Sequence, residues 1–84
     1  KPCAGSTFRN PETMPAWQII DQLGLRGTQI GGARISDKHS NFIVNAGQAT
    51  AGDVRALMDL VMEGARREFG LELIPEVEIP EWTT

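Results

Sequence analysis

A short N-terminal segment, residues 4–11, carries a serine hydroxyl beside groups that donate hydrogen bonds. Gly5 directly precedes Ser6, and a glycine lets the backbone bend close to a ligand. Arg9 and Asn10 follow, and both side chains can donate hydrogen bonds to phosphate or carbonyl oxygens. The segment is neither a phosphate-binding P-loop nor a nucleophile elbow, because the further glycines of those motifs do not occur. Gly-Ser-Thr is common in ordinary loops, so these residues alone favour a loop without chemistry.

Glu76 is the second candidate for chemistry, because Glu72 and Glu78 lie on the same face of an alternating segment. Like charges and partial desolvation favour the protonated form of a carboxyl group, and a carboxyl group in that form can work as an acid. Three glutamates at this spacing also fit a solvated acidic strand face. The residues by themselves favour the solvated face.

The remaining reactive side chains lack the neighbours that their chemistry needs. His39 is the only histidine, and the residues around it do not supply further metal ligands, so we predict a structural role at a strand entrance and no metal site. Cys3 has no partner for a disulfide or a metal, which favours an idle thiol in a reducing, cytoplasmic compartment. Trp17 and Trp82 are too far apart in sequence to indicate a stacking platform.

Length and composition restrict the class of protein. The chain has 84 residues, of which 40% are hydrophobic and 23% charged, as expected for one small globular domain. No apolar run approaches the roughly 20 residues of a membrane span, so we expect no membrane insertion. The net charge of −3 has the wrong sign for a nucleic-acid binder. Residues 1–38 hold five Lys and Arg against three Asp and Glu, which favours an anionic ligand in this half.

The clearest element is an amphipathic helix over residues 50–69. Its apolar residues recur at helical spacing and form one stripe: Val54, Leu57, Met58, Val61, Ala65 and Phe69. Thr50 with Asp53 three residues later is an N-cap signature, and Gly70 supplies a left-handed stop. The sequence therefore delimits this helix at both ends.

A shorter helix is predicted over residues 15–23, with Thr13 as its candidate cap and Gly24 as its stop. Its buried face consists of Ile19, Ile20 and Leu23. Strand signals lie at residues 41–45, at residues 34–35 after a glycine turn, and at residues 71–79. Pro75 interrupts the last strand, which predicts an edge position or a bulge. The chain is thus predicted to be one α+β two-layer domain, with two main helices packed on a small mixed sheet.

The order of the short motifs along the chain is more specific than any one of them. Six blocks carry it: AGSTFRNP at 4–11, IDQLGLRG at 20–27, GGA at 31–33, SDKHSNFIVN at 36–45, ATA and DV within 49–54, and FGLEL and PEV within 69–77. In this order they resemble the C-terminal domain of UDP-N-acetylenolpyruvoylglucosamine reductase, the MurB family. The resemblance covers nearly the whole chain.

The resemblance implies a cytoplasmic flavoenzyme of peptidoglycan precursor synthesis. In that family NADPH reduces a bound FAD, and the reduced flavin passes hydride to the enolpyruvyl double bond of UDP-N-acetylglucosamine enolpyruvate. Protonation then gives UDP-N-acetylmuramate. The C-terminal domain covers this UDP-sugar substrate and supplies the proton donor.

The resemblance also implies roles for four residues. Ser6 stands at the family's proton-donating serine, and Glu76 stands at the glutamate that assists protonation or stabilises the intermediate. Asn10 matches an asparagine beside the nucleotide diphosphate, and Arg9 replaces a usual lysine, which keeps the charge but changes a point charge into a planar fork. A further departure is the tail at residues 80–82, where the family commonly has glycine.

The family's FAD-binding domain, with its catalytic arginine, has no counterpart among these residues. The resemblance therefore implies a fragment or separate piece of a longer flavoenzyme that needs that missing domain as a partner. We expect the isolated chain to hold neither FAD nor NADPH and to be inactive, and no cofactor-binding residue is assigned. Two alternatives stay open. One is a stand-alone, non-catalytic α+β binding module, and the other is a small domain that senses an anionic ligand through Arg9, Arg34 and Lys38.

Overall fold

The computed structural model describes residues 6–76, and the predictions for Cys3, Trp82, the tail and the strand beyond Glu76 lie outside this range. Five elements follow one another along the chain: α1 (Ala16–Gln22), β1 (Gln29–Ile30), β2 (Ala33–Ile35), β3 (Ile43–Asn45) and α2 (Ala51–Phe69). The two helices form one layer and the three strands form the other.

Helix α2 confirms the predicted amphipathic helix, including both of its ends. The Thr50 hydroxyl accepts from Asp53 N, and the Asp53 side chain accepts from Thr50 N, which completes a capping box. Gly70 ends the helix in the left-handed conformation with φ of 65°. The apolar face is buried: Val54, Leu57, Met58, Val61, Gly64 and Ala65.

Helix α1 confirms the predicted short helix, but the cap at Thr13 is wrong. The N-cap residue is Pro15, which has no side-chain cap of its own. The Ala16 N–H instead donates to Asn10 Oδ1 at 3.0 Å, so a side chain from outside the helix satisfies one of its free donors. The helix ends at Gln22 with Leu23 as its C-cap, and the predicted stop Gly24 follows in the left-handed conformation with φ of 73°.

The three strands form an antiparallel sheet in the order β1-β2-β3. Strand β3 lies within the segment predicted at residues 41–45, and β2 includes the pair predicted at residues 34–35. The turn between β1 and β2 uses Gly31 at φ of 56° and Gly32. A Cβ on Gly32 would overlap the backbone of Gly47 and Ala49, so only glycine fits this close approach.

Helix α2 packs across β1 and β2, and α1 packs against α2. Gly64 allows that second contact, because a Cβ there would meet the Leu23 side chain at 2.9 Å. The core between these layers contains Ile19, Ile20, Ala33, Ile35, Leu57 and Val61, together with Phe8 and Leu73 from the two flanking segments. The predicted two-layer α+β architecture is confirmed. The prediction of a mixed sheet is wrong for the described strands, which all pair antiparallel because short connections without a crossover join them.

Residues 71–76 form no regular strand. They make one isolated β-bridge, between Pro75 and Phe8. Leu73 is buried whereas Glu72 is exposed, in line with the predicted alternation. Phe8 and Pro75 form a non-hydrogen-bonded antiparallel pair, and the backbone hydrogen bonds are made by the residues on either side of them. The missing N–H of Pro75 therefore costs no hydrogen bond to Phe8. Within residues 6–76, neither helix is long and apolar enough to cross a membrane.

Candidate functional site

The segment that carries Ser6 is held on one side by Asn41. Thr7 N donates to the Asn41 backbone oxygen at 2.7 Å. Phe8 N donates to Asn41 Oδ1 at 3.0 Å, and Asn41 Nδ2 donates to the Phe8 backbone oxygen at 2.9 Å. The Asn41 side chain thereby pairs with Phe8 as a backbone amide of a neighbouring strand would.

The same segment is held on its other side by the residues before and after Pro75. Arg9 N donates to the Ile74 oxygen at 2.9 Å, and Glu76 N donates to the Thr7 oxygen at 2.8 Å. The structure therefore brings the backbones of the two predicted catalytic residues, Ser6 and Glu76, to the same end of this pairing. Both of these residues are exposed, whereas Phe8 between the hydrogen bonds is buried.

Ser6 lies at an open cleft of about 380 Å³, a volume in the usual range for small-molecule sites. The described lining consists of Ser6, Asn10, Trp17, Arg26, Lys38, His39, Ser40, Asn41 and Phe42. Arg26 and Lys38 are cationic, and none of the lining residues that the structure describes is acidic. The cleft thus suits an anionic ligand that carries an apolar part.

Asn10 lines the Ser6 cleft, and its side-chain oxygen also stabilises the start of α1. Its Oδ1 accepts from Ala16 N at the start of α1. Its Nδ2 amide is then the group that can donate to a ligand in the cleft. The substrate-binding role assigned to Asn10 stays a prediction that this geometry allows.

Arg9 lies apart from the Ser6 cleft. It lines a second concavity of about 310 Å³ together with Asn10, Pro11, Glu12, Glu72 and Ile74. Two glutamates in this lining reduce its attraction for an anion. The structure therefore does not bring Arg9 beside Ser6, and its substrate-binding role stays a prediction.

The cation that sequence reasoning missed is Arg26. Its Nε and Nη2 donate to the two carboxylate oxygens of Asp21 at 3.0 and 2.6 Å, and its Nη1 donates to the Asp37 backbone oxygen at 2.8 Å. The Arg26 hydrogen bonds hold the pKa of Asp21 below its ordinary value. Because these bonds join α1 to the loop before β3, Arg26 shapes the cleft, and its ion pair with Asp21 offsets much of the charge that it brings there. A basic residue within the IDQLGLRG block was its one sequence signal.

Ser40 and His39 lie in the same loop of the cleft. The Ser40 hydroxyl is within hydrogen-bond distance of the Trp17 oxygen at 3.0 Å and of Asp21 Oδ1 at 2.9 Å. The exposed His39 ring lies 5.6 Å from the Phe42 ring, just before β3, at the strand entrance predicted for it. Among residues 6–76 no group of three or more His, Cys, Asp and Glu side chains is placed to hold a metal ion.

The paired glycines of the β1–β2 turn do not fit a flavin site. A dinucleotide cofactor needs a glycine turn that its pyrophosphate can approach closely. Here the carboxylate of Asp53 lies against Gly31 and accepts from Gly32 N at 3.0 Å, and the backbone at Gly47 fills the remaining space. A carboxylate repels a pyrophosphate, so this turn serves the fold.

Comparisons with known proteins agree on one family. Residues 1–80 match the family model described as "UDP-N-acetylenolpyruvoylglucosamine reductase, C-terminal domain". Proteins named UDP-N-acetylenolpyruvoylglucosamine reductase from Synechococcus sp. strain CC9311 and Nitrosococcus oceani are 56% and 51% identical over 92% and 94% of this chain. These matches cover 25% and 26% of the two relatives, so the chain spans about a quarter of their length.

A crystal structure gives the same result for the fold. The UDP-N-acetylenolpyruvylglucosamine reductase (MurB) from Thermus caldophilus matches with a TM-score of 0.72 and 47% sequence identity. The match covers 89% of this chain and 27% of that protein. Sequence and structure therefore point to the same part of a longer polypeptide.

Proposed function

This chain belongs to the family of UDP-N-acetylenolpyruvoylglucosamine reductase C-terminal domains, and from this premise we propose that it is the substrate-binding and proton-donating domain of such a reductase. The reaction is the reduction of UDP-N-acetylglucosamine enolpyruvate to UDP-N-acetylmuramate in peptidoglycan precursor synthesis. The observation that carries the proposal is the fixed backbone of the Ser6 segment at the edge of a cationic cleft. We propose a cytoplasmic location for the enzyme.

Ser6 supplies the proton in this proposal. When hydride has added to the terminal carbon of the enolpyruvyl double bond, an electron pair is left at the carbon beside the carboxylate. The Ser6 O–H bond then breaks and a C–H bond forms at that carbon. A serine hydroxyl is a weak acid, so this transfer needs a donor that is already in position and neighbouring groups that stabilise the charge.

Glu76 and the cleft cations support that transfer. The Glu76 backbone pairs with Thr7, the neighbour of Ser6, and this backbone proximity supports the proposal that the Glu76 carboxyl group assists protonation. Lys38 lines the cleft and suits the diphosphate of a UDP-sugar, Arg26 lies beside it as a partner of Asp21, and the Asn10 amide adds a hydrogen-bond donor. A separate contribution from Arg9 would need a substrate that reaches the second concavity.

FAD and NADPH belong, in this proposal, to the remainder of the enzyme. The Gly31–Gly32 turn does not suit the pyrophosphate of a dinucleotide, because the Asp53 carboxylate lies against it. The chain also covers only about a quarter of its relatives, which leaves room for a separate flavin-binding domain. We expect the isolated domain to lack turnover for this reason.

Replacement of Ser6 by alanine in the full-length enzyme tests the proposal. We expect Ser6→Ala to leave flavin reduction by NADPH intact and to block reoxidation of the flavin by the enolpyruvyl substrate, because only the second half-reaction needs the proton. Stopped-flow absorbance of the flavin measures both half-reactions. Thr13→Ala removes an exposed hydroxyl outside the site and is the matched control. Equal loss of both half-reactions in Ser6→Ala would count against a proton-donor role.

A stand-alone module for an anionic ligand is the second candidate, and the cationic cleft favours it independently of any flavin. Calorimetric titration separates it from the reductase domain. A reductase domain prefers UDP-sugars to inorganic phosphate, whereas a simple anion sensor binds both comparably. A reading frame for a flavin-binding domain upstream of Lys1 would also decide for the reductase.

A further inference from the structure

The backbone N–H and C=O groups of Thr7 and Phe8 are all hydrogen-bonded, although these residues lie outside the three-stranded sheet. Three of these hydrogen bonds go to Asn41, which uses its backbone oxygen and both polar atoms of its side chain. The fourth goes from Glu76 N to the Thr7 oxygen. Asn41 is 33 residues from Phe8 in sequence and 7% exposed. One buried side chain therefore replaces the strand neighbour that this segment would otherwise need.

Among the residues that the structure describes, Ser6 has no such support from its own side chain. It is exposed at the cleft edge, and its hydroxyl takes part in none of the hydrogen bonds found between the described residues. Within residues 6–76, the peptide that follows Ser6 is the part of its surroundings that the structure shows to be anchored. Proton transfer requires the donor within about 0.5 Å of its productive position, so the anchor of that peptide matters to the reaction.

We propose that Asn41 is a positioning residue for the reaction, and that it acts through the Thr7–Phe8 backbone to hold the Ser6 hydroxyl toward the substrate. This inference rests on the proposed function of Ser6. Asn41 lines the cleft but needs no contact with the substrate to do this. The C=O and the NH₂ of its side-chain amide match the N–H and the C=O of Phe8. Neither a carboxylate nor an aliphatic side chain can make both bonds.

The test uses Asn41→Asp in the full-length enzyme. Aspartate has nearly the same shape and keeps the acceptor for Phe8 N, but it replaces the donor to the Phe8 oxygen with an acceptor, so that one hydrogen bond becomes a repulsion. We expect substrate-driven reoxidation of the flavin to slow at least tenfold, and flavin reduction by NADPH to change by less than twofold. The solvent deuterium isotope effect on reoxidation should rise, since proton transfer then limits the rate more strongly.

Hydrogen exchange of the same protein gives a readout that does not depend on activity. Exchange should accelerate in the peptide that covers residues 6–10, because the Phe8 N–H lies in the disturbed pairing. Asp53→Asn is the matched control. It makes the opposite replacement, an amide for a carboxylate, in a side chain that accepts from the backbone N–H groups of Gly32 and Thr50 and is not part of the Ser6 segment. We expect the control to leave exchange at residues 6–10 and both half-reactions unchanged.

A second variant protects the test from a failure of folding. Asn41→Gln keeps both amide groups and displaces them by one methylene, so we expect the same pattern with a smaller reduction of the reoxidation rate. If neither variant changes the ratio of the two half-reactions, Asn41 has no positioning role and the proposal is overturned. If both half-reactions fall equally with the melting temperature, Asn41 is merely structural and the proposal is likewise overturned.

Ser6→Ala separates this failure from a failure of the proposed function. If Ser6→Ala does not uncouple the half-reactions, Ser6 is not the proton donor and both proposals fall. If Ser6→Ala uncouples them and Asn41→Asp does not, only the role of Asn41 is overturned.

Discussion

Two junctions of this domain are each held by one side chain that binds backbone groups. At the Ser6 anchor, defined by residues 6–9, Asn41 and residues 74–76, the side chain is a neutral amide that both donates and accepts. At the hairpin–helix junction, defined by Gly31, Gly32, Thr50 and Asp53, the side chain is a carboxylate that only accepts. The first positions a proposed catalytic residue, whereas the second joins the β1–β2 turn to the start of α2.

The difference in chemistry predicts a difference in behaviour. An amide does not titrate, so the Ser6 anchor keeps its hydrogen bonds over the whole range of pH in which the protein is folded. The Asp53 carboxylate accepts from Gly32 N and Thr50 N, and these bonds lower its pKa below the ordinary value. Only the hairpin–helix junction should therefore weaken as the pH falls.

The largest effect is expected from steric damage to the hairpin–helix junction. A Cβ at Gly32 would overlap the backbone at Gly47 and Ala49, neither of which can move without disturbing the chain around β3 and α2. We expect Gly32→Ala to lower the free energy of unfolding by about 3 kcal/mol. Urea unfolding followed by circular dichroism measures this change.

Gly52→Ala is the control for the loss of a glycine at the same junction. A Cβ at Gly52 meets only the Thr50 hydroxyl, at an ordinary 3.7 Å. Since Gly52 lies in α2, alanine should raise the free energy of unfolding by about 0.5–1 kcal/mol. Equal stabilities of the two variants would mean that Gly32 is not in close contact with residues 47–49.

A smaller effect, dependent on pH, is expected when the charge at this junction is removed. The lowered pKa of Asp53 means that its stabilising contribution is fully present above the ordinary value of 3.8 and is lost as the pH falls through the lowered value. Asp53→Asn should therefore melt below the wild-type protein near neutral pH and approach it in acid. Melting temperatures of both proteins between pH 7 and pH 2.5 measure this difference. A constant difference over that range would contradict the assigned role of the carboxylate.

The smallest effect on structure is expected at Glu76. Its backbone N–H binds Thr7, and Glu76→Gln leaves that bond in place. We expect little change in melting temperature, with a moderate slowing of flavin reoxidation by substrate and a changed pH profile of that step. If Glu76→Gln altered neither the rate nor the pH profile, the assistance assigned to this carboxyl group should be abandoned.

The two junctions also differ in how much of them the sequence reveals. Thr50 and Asp53 are three residues apart, which is the spacing of a capping box, so the sequence alone predicts this contact. Asn41 and Phe8 are 33 residues apart, and no periodicity or cap signature relates them. The sequence could therefore predict the hairpin–helix junction in part, and it could not predict the Ser6 anchor.

The same distinction explains the error at α1 and the cation that was missed. Thr13 lies at the local spacing of a cap, but Asn10 reaches Ala16 from further upstream because the chain turns back before the helix. Arg26 binds Asp21 only five residues earlier, across the turn that ends α1, but no periodic pattern or cap signature indicates that pair or the contact of Arg26 with the Asp37 oxygen. The resemblance to a family identified Ser6 and Glu76 as candidates, whereas their backbone proximity required the structure.

The rate at which substrate reoxidises the reduced full-length enzyme tests the central claim most directly. The claim is that Ser6, held by Asn41, donates the proton that completes reduction of the substrate. We predict that Ser6→Ala slows this step by about 100- to 10,000-fold, that Asn41→Asp slows it less, and that both variants are reduced by NADPH at the wild-type rate. Reoxidation of Ser6→Ala at the wild-type rate, or equal losses in both half-reactions, would contradict the claim.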